Sequence, residues 1–204
     1  KHKRNTIMKV AVIKYNAGNI QSVLFALERI GVQATVSDDP EQIITSDKVI
    51  FPGVGEASTA MKYLSERNLD KVISSLHQPV LGICLGMQLM CDHSEENNTN
   101  CLCIFEDVKV KKFVLTENNL KIPQIGWNNI NNLKTAIFNS IEPNSFCYYV
   151  HSYYAELSKY TIATTEYGKL YSAALNKDNF FGVQFHPEKS ATTGETILKN
   201  FLAL

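Results

Sequence analysis

Three short runs constrain this chain more than any other feature: Val10-Ala11-Val12-Ile13, Val49-Ile50-Phe51 and Val80-Leu81-Gly82-Ile83 contain no polar residue. A strand with one wet face alternates apolar and polar positions, whereas an unbroken apolar run must be covered on both faces. Strands of this kind belong to a parallel sheet with helices packed above and below it. Between the first two runs, Ile20, Val23, Leu24, Leu27 and Ile30 recur at helical spacing, and Gly31 stands where a helix would stop. A second helix is expected from about Glu56, burying Ala60, Met61 and Leu64, and a last one carries Ile197, Leu198 and Phe201.

From about residue 101 to 175 the chain is richer in Tyr, Phe, Thr and Asn, with candidate strands at 108–113, 146–150 and 161–165. These are expected to add antiparallel strands and loops. The polar segment 95–100 reads as a surface loop. The expectation is therefore a single α/β domain over 8–204, with a mixed, mostly parallel sheet flanked by helices. Residues 1–7, mostly polar and basic, read as a loose arm or an appended remnant.

The 20 basic and 20 acidic residues cancel, so no overall charge draws the chain to nucleic acid or to an anionic membrane surface. No apolar run approaches the ~20 residues needed to span a bilayer, and neither a signal peptide nor an anchor is expected. Five cysteines is an odd number without a regular framework, which favours reduced thiols in a cytoplasm over disulfides. Cys101-Leu102-Cys103 is too closely spaced for a zinc knuckle and has no His or Cys partner nearby. No metal is expected, and Cys91, Cys101, Cys103 and Cys147 read as structural.

Cys84 is different. Gly82-Ile83-Cys84-Leu85-Gly86 follows an apolar run and precedes the helical-looking Met87-Gln88-Leu89-Met90, so the cysteine falls on a tight strand-to-helix turn, a nucleophile elbow with sulfur in place of oxygen. That geometry would expose the sulfur at the carboxyl end of the sheet beside a helix N-terminus, whose partial positive charge favours thiolate. The elbow alone also fits a small buried apolar residue. A second segment, Gly182-Val183-Gln184-Phe185-His186-Pro187-Glu188, favours chemistry. Pro187 pushes His186 toward extended backbone, where residues two apart share a side and Glu188 can reach the imidazole. A carboxylate there fixes the tautomer and leaves the other nitrogen for a thiol. Pro52-Gly53-Val54-Gly55, just past an apolar run, can turn backbone N–H groups toward an oxyanion together with that of Leu85, although such a pair is more often only a turn.

Together these residues resemble the class I glutamine amidotransferases, whose Cys-His-Glu triad sits in a Gly-x-Cys-x-Gly elbow and a His-Pro-Glu segment. The order Cys, His, Glu also departs from the α/β-hydrolases, where the acid precedes the histidine. Within the family the match is closest to the subunits serving histidine biosynthesis, and it extends from Met8 to Leu204. It rests on Tyr15, Gly18-Asn19, Ser22-Val23, Pro52-Gly53-Val54-Gly55, Gly82 to Leu89, Ser94-Glu95-Glu96, Gly126-Trp127-Asn128, His151-Ser152-Tyr153-Tyr154 and Gly182 to Ser190.

The resemblance implies that Cys84, His186 and Glu188 are catalytic, with Gly53, Val54, Gly55 and Leu85 forming the oxyanion hole. It implies that Gln88, Glu96, His151, Ser152 and Tyr153 hold substrate glutamine, that Trp127 faces a (β/α)8-barrel cyclase partner, and that no cofactor is needed. From the residues alone, Glu96 could equally be a solvated loop charge, Gln88 a packing residue and Trp127 part of the core. Lys14-Tyr15-Asn16-Ala17 and Glu56-Ala57 depart from the family pattern. Two other readings remain open: a paralogue that feeds ammonia to a sugar-modifying synthase, and a non-catalytic thiol sensor or binding protein on the same fold.

Overall fold

The computed structural model describes residues 7–16, 19–114 and 120–204. The basic arm at 1–7, apart from Ile7, lies outside the described residues, as do Ala17 and Gly18. The three apolar runs form strands β1 (Val10–Ile13), β3 (Lys48–Phe51) and β4 (Val80–Ile83), joined by β2 (Ala34–Ser37). Helix α1 (Ile20–Arg29) and the short α2 (Pro40–Ile44) fall between β1 and β3, and α3 (Ala57–Glu66) and α4 (Leu69–Ser74) between β3 and β4. After β4 come α5 (Leu85–Met90), β5 (Cys91–Ser94), β6 (Thr99–Asn100) and β7 (Phe105–Lys112). A ribbon of β8 (Gln124–Ile130) and β9 (Ser145–His151) follows, then β10 (Tyr153–Ala155), β11 (Thr161–Glu166), β12 (Leu170–Lys177), β13 (Phe180–Val183) and α6 (Ala191–Leu202).

The main sheet runs β11-β12-β13-β4-β3-β1-β2. Its pairs are parallel from β13 to β2 and antiparallel at β12–β13 and β11–β12. This is the mixed, mostly parallel sheet expected. Val10 and Val12 pack with Val23, Leu27 and Phe201 on one face, whereas Ala11 and Ile13 pack with Ala60, Leu64 and Leu69 on the other. Alternate residues thus enter opposite cores, and polar substitution at either would be buried. Val12, Ile13, Val49, Ile50, Phe51, Val80 and Leu81 are wholly inaccessible, each contributing about 1.5–3 kcal/mol relative to exposure.

The middle of the chain forms a second sheet, β10-β7-β5-β6, and the separate ribbon β8–β9. Segment 95–100 is not simply a loop: Glu96–Asn98 is a 3-10 turn and Thr99–Asn100 pairs with β5, burying Thr99. Met61 is only partly buried, and Ala57 takes its expected place in the core. Helix α5 is shorter than most helices, passes directly into β5, and is buried along its whole length. No helix among the described residues is long and apolar enough to cross a membrane.

Candidate active site

The elbow expected from the sequence is present. Cys84 adopts φ 53°, ψ −109° between β4 and α5, a conformation that costs on the order of 1–3 kcal/mol and must be held by its surroundings. Its N–H donates to the Val183 carbonyl (2.8 Å) and its carbonyl accepts from the Gln88 N–H (3.1 Å). Gly86 allows the turn to be this tight, because a Cβ there would lie 1.9 Å from the Phe51 carbonyl oxygen. The sulfur is less open than a bare elbow suggests, since Cys84 is only 6% exposed. The Val150 carbonyl (3.7 Å) and the Gln184 amide (3.6 Å) cover it, and access is through the adjoining pocket.

Strand β13 lies directly beside β4, pairing Val183 with Ile83, so the chain leaving β13 passes the elbow. Beyond it, the His186 N–H donates to the Tyr148 carbonyl (2.9 Å), and the His186 carbonyl accepts from the Ser190 hydroxyl (2.6 Å). His186 itself is extended, but Pro187–Lys189 closes into a 3-10 turn. Glu188 therefore meets the imidazole by that turn and not by strand alternation, its Oε1 lying 2.8 Å from Nδ1. The pair is buried, and His186 Nε2 has no hydrogen-bond partner among the described residues. Burial opposes charge on His186, but Cys84 and Glu188 outweigh it and raise its pKa to about 10. A protonated imidazole beside a sulfur is an arrangement that favours thiolate.

A pocket of ≈ 290 Å³ opens over Cys84. Val54, Gly55, Leu85, Gln88, Glu96, His151, Ser152 and Tyr153 line it, as does Val150, which the sequence gave no reason to single out. Glu96 is held by the Ala57 N–H at the start of α3 (2.8 Å to Oε2). Burial, and then the neighbouring Glu56, raises its pKa despite that bond. A partly buried carboxylate in this position favours a cationic ligand group. Glu56, one of the departures from the family pattern, caps α3 through the Ser58 and Thr59 N–H groups and accepts from the Asn97 amide. Ala17 lies outside the described residues. Trp127 is exposed, so it is not core.

The loop expected from the sequence to form an oxyanion hole has one of the expected donors engaged. The Leu85 N–H donates to the Gly53 carbonyl (3.2 Å), so the donor expected of Leu85 is bonded to the loop itself. The Tyr15 hydroxyl donates to the Pro52 carbonyl, and a Cβ on Gly53 would meet that hydroxyl at 2.0 Å. Tyr15 therefore fixes one end of the loop, and for an oxyanion hole to form here the peptide linking Gly53 to Val54 would have to turn. Rotation would withdraw the Gly53 carbonyl and present the Val54 N–H instead.

His151 lines the pocket but spends both ring nitrogens inside the protein, on the Tyr153 carbonyl (2.7 Å) and the Gln124 side-chain amide (2.9 Å). Burial, reinforced by nearby His186, lowers its pKa to about 4 even though the bond to Tyr153 works the other way. The unfolded chain takes up this proton below about pH 6.5 and the folded chain only near 4. The associated stability is thus complete above pH 6.5 and is lost as pH falls toward 4. His186, with a raised pKa, has the opposite sign and favours the folded state at low pH. In denaturant titrations, unfolding free energy should fall less between pH 7 and 4.5 for His151→Gln than for the wild type, by about 2 kcal/mol. Equal falls would show that His151 is not held neutral by the fold.

The remaining thiols are unsuited to nucleophilic attack. Burial raises the pKa of Cys101 and Cys147 to about 12, and that of Cys91 well above the ordinary thiol value. Burial and then Asp92 raise that of Cys103. No group of three or more His, Cys, Asp or Glu residues suited to a metal occurs among the described residues.

Residues 11–204 match the model of the family described as glutamine amidotransferase class-I. Among curated proteins, "Imidazole glycerol phosphate synthase subunit HisH" of Bacteroides fragilis is 57% identical over 197 residues, 97% of this chain and 100% of that one. The protein of the same name from Blochmanniella floridana is 48% identical over 199 residues, with 97% and 100% covered. A solved structure described as a glutamine amidotransferase superposes with a TM-score of 0.71, covering 95% of this chain and 97% of that one at 17% identity, and so shares the fold. With a family match over nearly all its length, and with sulfur, imidazole and carboxylate gathered at one elbow, the chain belongs to the class I glutamine amidotransferases.

Proposed function

We propose that this chain is the glutaminase subunit of an imidazole glycerol phosphate synthase in histidine biosynthesis. Cys84, His186 and Glu188 act as its triad. The observation that carries the mechanism is the buried His186, tied through Nδ1 to Glu188 at 2.8 Å, with Nε2 left without a hydrogen-bond partner among the described residues. Cys84 thiolate attacks the side-chain amide carbon of glutamine, and His186 gives its proton to the leaving nitrogen. Ammonia departs and a γ-glutamyl thioester remains. His186 then takes a proton from the water that cleaves the thioester, releasing glutamate, while Glu188 orients the ring throughout.

Glu96 suits the ammonium end of an amino acid, and Ser152 and Tyr153 line the same pocket. Ammonia released into open water would be protonated at neutral pH and lost as a nucleophile, so an acceptor site must adjoin this one. We assign that site to a (β/α)8-barrel cyclase subunit, which would join ammonia to a phosphoribulosyl intermediate. Ile125, Trp127 and Phe146 on the β8–β9 ribbon are 62%, 53% and 56% exposed. They share one face of the ribbon, whose register pairs Ile125 with Val150 at the pocket. This apolar face suits the docking surface. The free thiols fit a cytoplasmic setting.

A glutamine-mimicking diazo-ketone tests the site directly. It should modify Cys84 rapidly and stoichiometrically, with saturable kinetics that glutamine protects against, and leave the other four cysteines unlabelled. Mass-spectrometric mapping of the adduct to Cys91, Cys101, Cys103 or Cys147 would remove the assignment.

A further inference from the structure

Gln184 has no exposed surface and stands two residues before His186 on the segment leaving β13. Its Nε2 lies 3.6 Å from Cys84 Sγ, and its Oε1 accepts from Gln88 Nε2 at 2.8 Å. The same Gln88 nitrogen donates to the Tyr153 carbonyl at 2.9 Å. Side-chain amides can usually be turned either way, but here the chain of bonds admits one orientation. A main-chain carbonyl only accepts, so Gln88 must present its nitrogen to Tyr153. The second hydrogen of that nitrogen then points at Gln184, which must answer with oxygen. The Gln184 nitrogen is left against the sulfur.

We propose that Gln184 is a positioning residue for Cys84: its amide N–H donates to the sulfur, stabilises the thiolate, and ties the nucleophile to Gln88 in the substrate pocket. The proposal rests on the reading of Cys84 as nucleophile and adds a group outside the triad. Such a donor acts against the Val150 carbonyl, which at 3.7 Å accepts an S–H. A donor aimed at the sulfur favours the charged form. The link to Gln88 also gives the arrangement a direction. A ligand that bonds to the Gln88 amide oxygen polarises its N–H bonds and strengthens the chain that ends on Cys84.

The test is the pH profile of Cys84 alkylation by iodoacetamide in the wild type, Gln184→Met and Gln184→Glu, with Cys84→Ala as background. Met fills similar space without a donor. Glu keeps an acceptor for Gln88 but turns a carboxylate toward the sulfur. In Gln184→Met the acidic edge of the profile should move up by about one pH unit, a roughly tenfold slower reaction at neutral pH, with the limiting rate at high pH unchanged. Gln184→Glu should move it further, and it carries the test alone if the Met variant does not fold. An unmoved edge in a folded variant, or an equal loss at every pH, would overturn the proposal, since the residue would then serve only packing or access. Iodoacetamide needs no glutamine seat, so this profile stands apart from the functional reading. Absence of glutamate release by the wild-type complex would sink that reading while leaving a shifted profile intact.

Discussion

In a complex reconstituted with the partner subunit, Cys84→Ala should abolish product formation from glutamine yet leave product formation from concentrated ammonium salt at raised pH near the wild-type level. No thioester can form without the sulfur, whereas free ammonia at high pH bypasses the need for one. The substitution is mild, since Cys84 makes only long contacts through sulfur and a methyl group fits the same elbow. Docking should survive, and analytical gel filtration of the complex would verify it. Glutamate release by the lone wild-type chain should be slow and should rise on partner binding, because the Leu85 N–H is engaged by the Gly53 carbonyl until the loop turns. Loss of both nitrogen sources in a folded, partner-bound Cys84→Ala would place the cysteine in the synthase step itself.

His186→Ala should lower glutaminase kcat by at least about a thousandfold, and Glu188→Gln should cost less by about one to two powers of ten. In the proposed mechanism the imidazole moves protons in both halves of the reaction, while Glu188 works through it. A glutamine at 188 can still accept from Nδ1 through its amide oxygen, so the ring stays oriented. What it loses is the carboxylate's contribution to keeping His186 protonated. The deficit should therefore grow toward alkaline pH, and kcat against pH would reveal it. Retention of most of the rate in His186→Ala would rule out the mechanism.

The architecture was legible where burial leaves no choice. Apolar runs at 10–13 and 80–83 became β1 and β4 residue for residue, and the spacing of Val23 and Leu27 placed α1 against the sheet. Strand β8 was not, because Gln124-Ile125-Gly126-Trp127-Asn128-Asn129 has weak strand propensity and is held by pairing with β9. The site divides in the same way. The contact between His186 and Glu188 is local, and spacing suggests it even though a 3-10 turn delivers it. The bonds from Tyr153 through Gln88 and Gln184 to Cys84 join distant segments, so no spacing rule reaches them. Gln184 left no such clue, because the chain bends at 184–185 and strand alternation does not carry across it. The engagement of Leu85 by Gly53 depends on which way one peptide faces, and residue types do not encode that.

The order of strands ties activity to the history of the chain. Strand β13 is bonded to β4 on one side and β12 on the other, although it is built from residues 180–183. On a polypeptide growing from its N-terminus, the cysteine emerges long before its base, and β4 waits with an open edge for the last strand of the sheet. The Cys84 N–H cannot find the Val183 carbonyl until that strand arrives. With the roles proposed for Cys84 and His186, an unfinished chain would be chemically silent toward glutamine, and onset of turnover would report that synthesis and folding have both been completed.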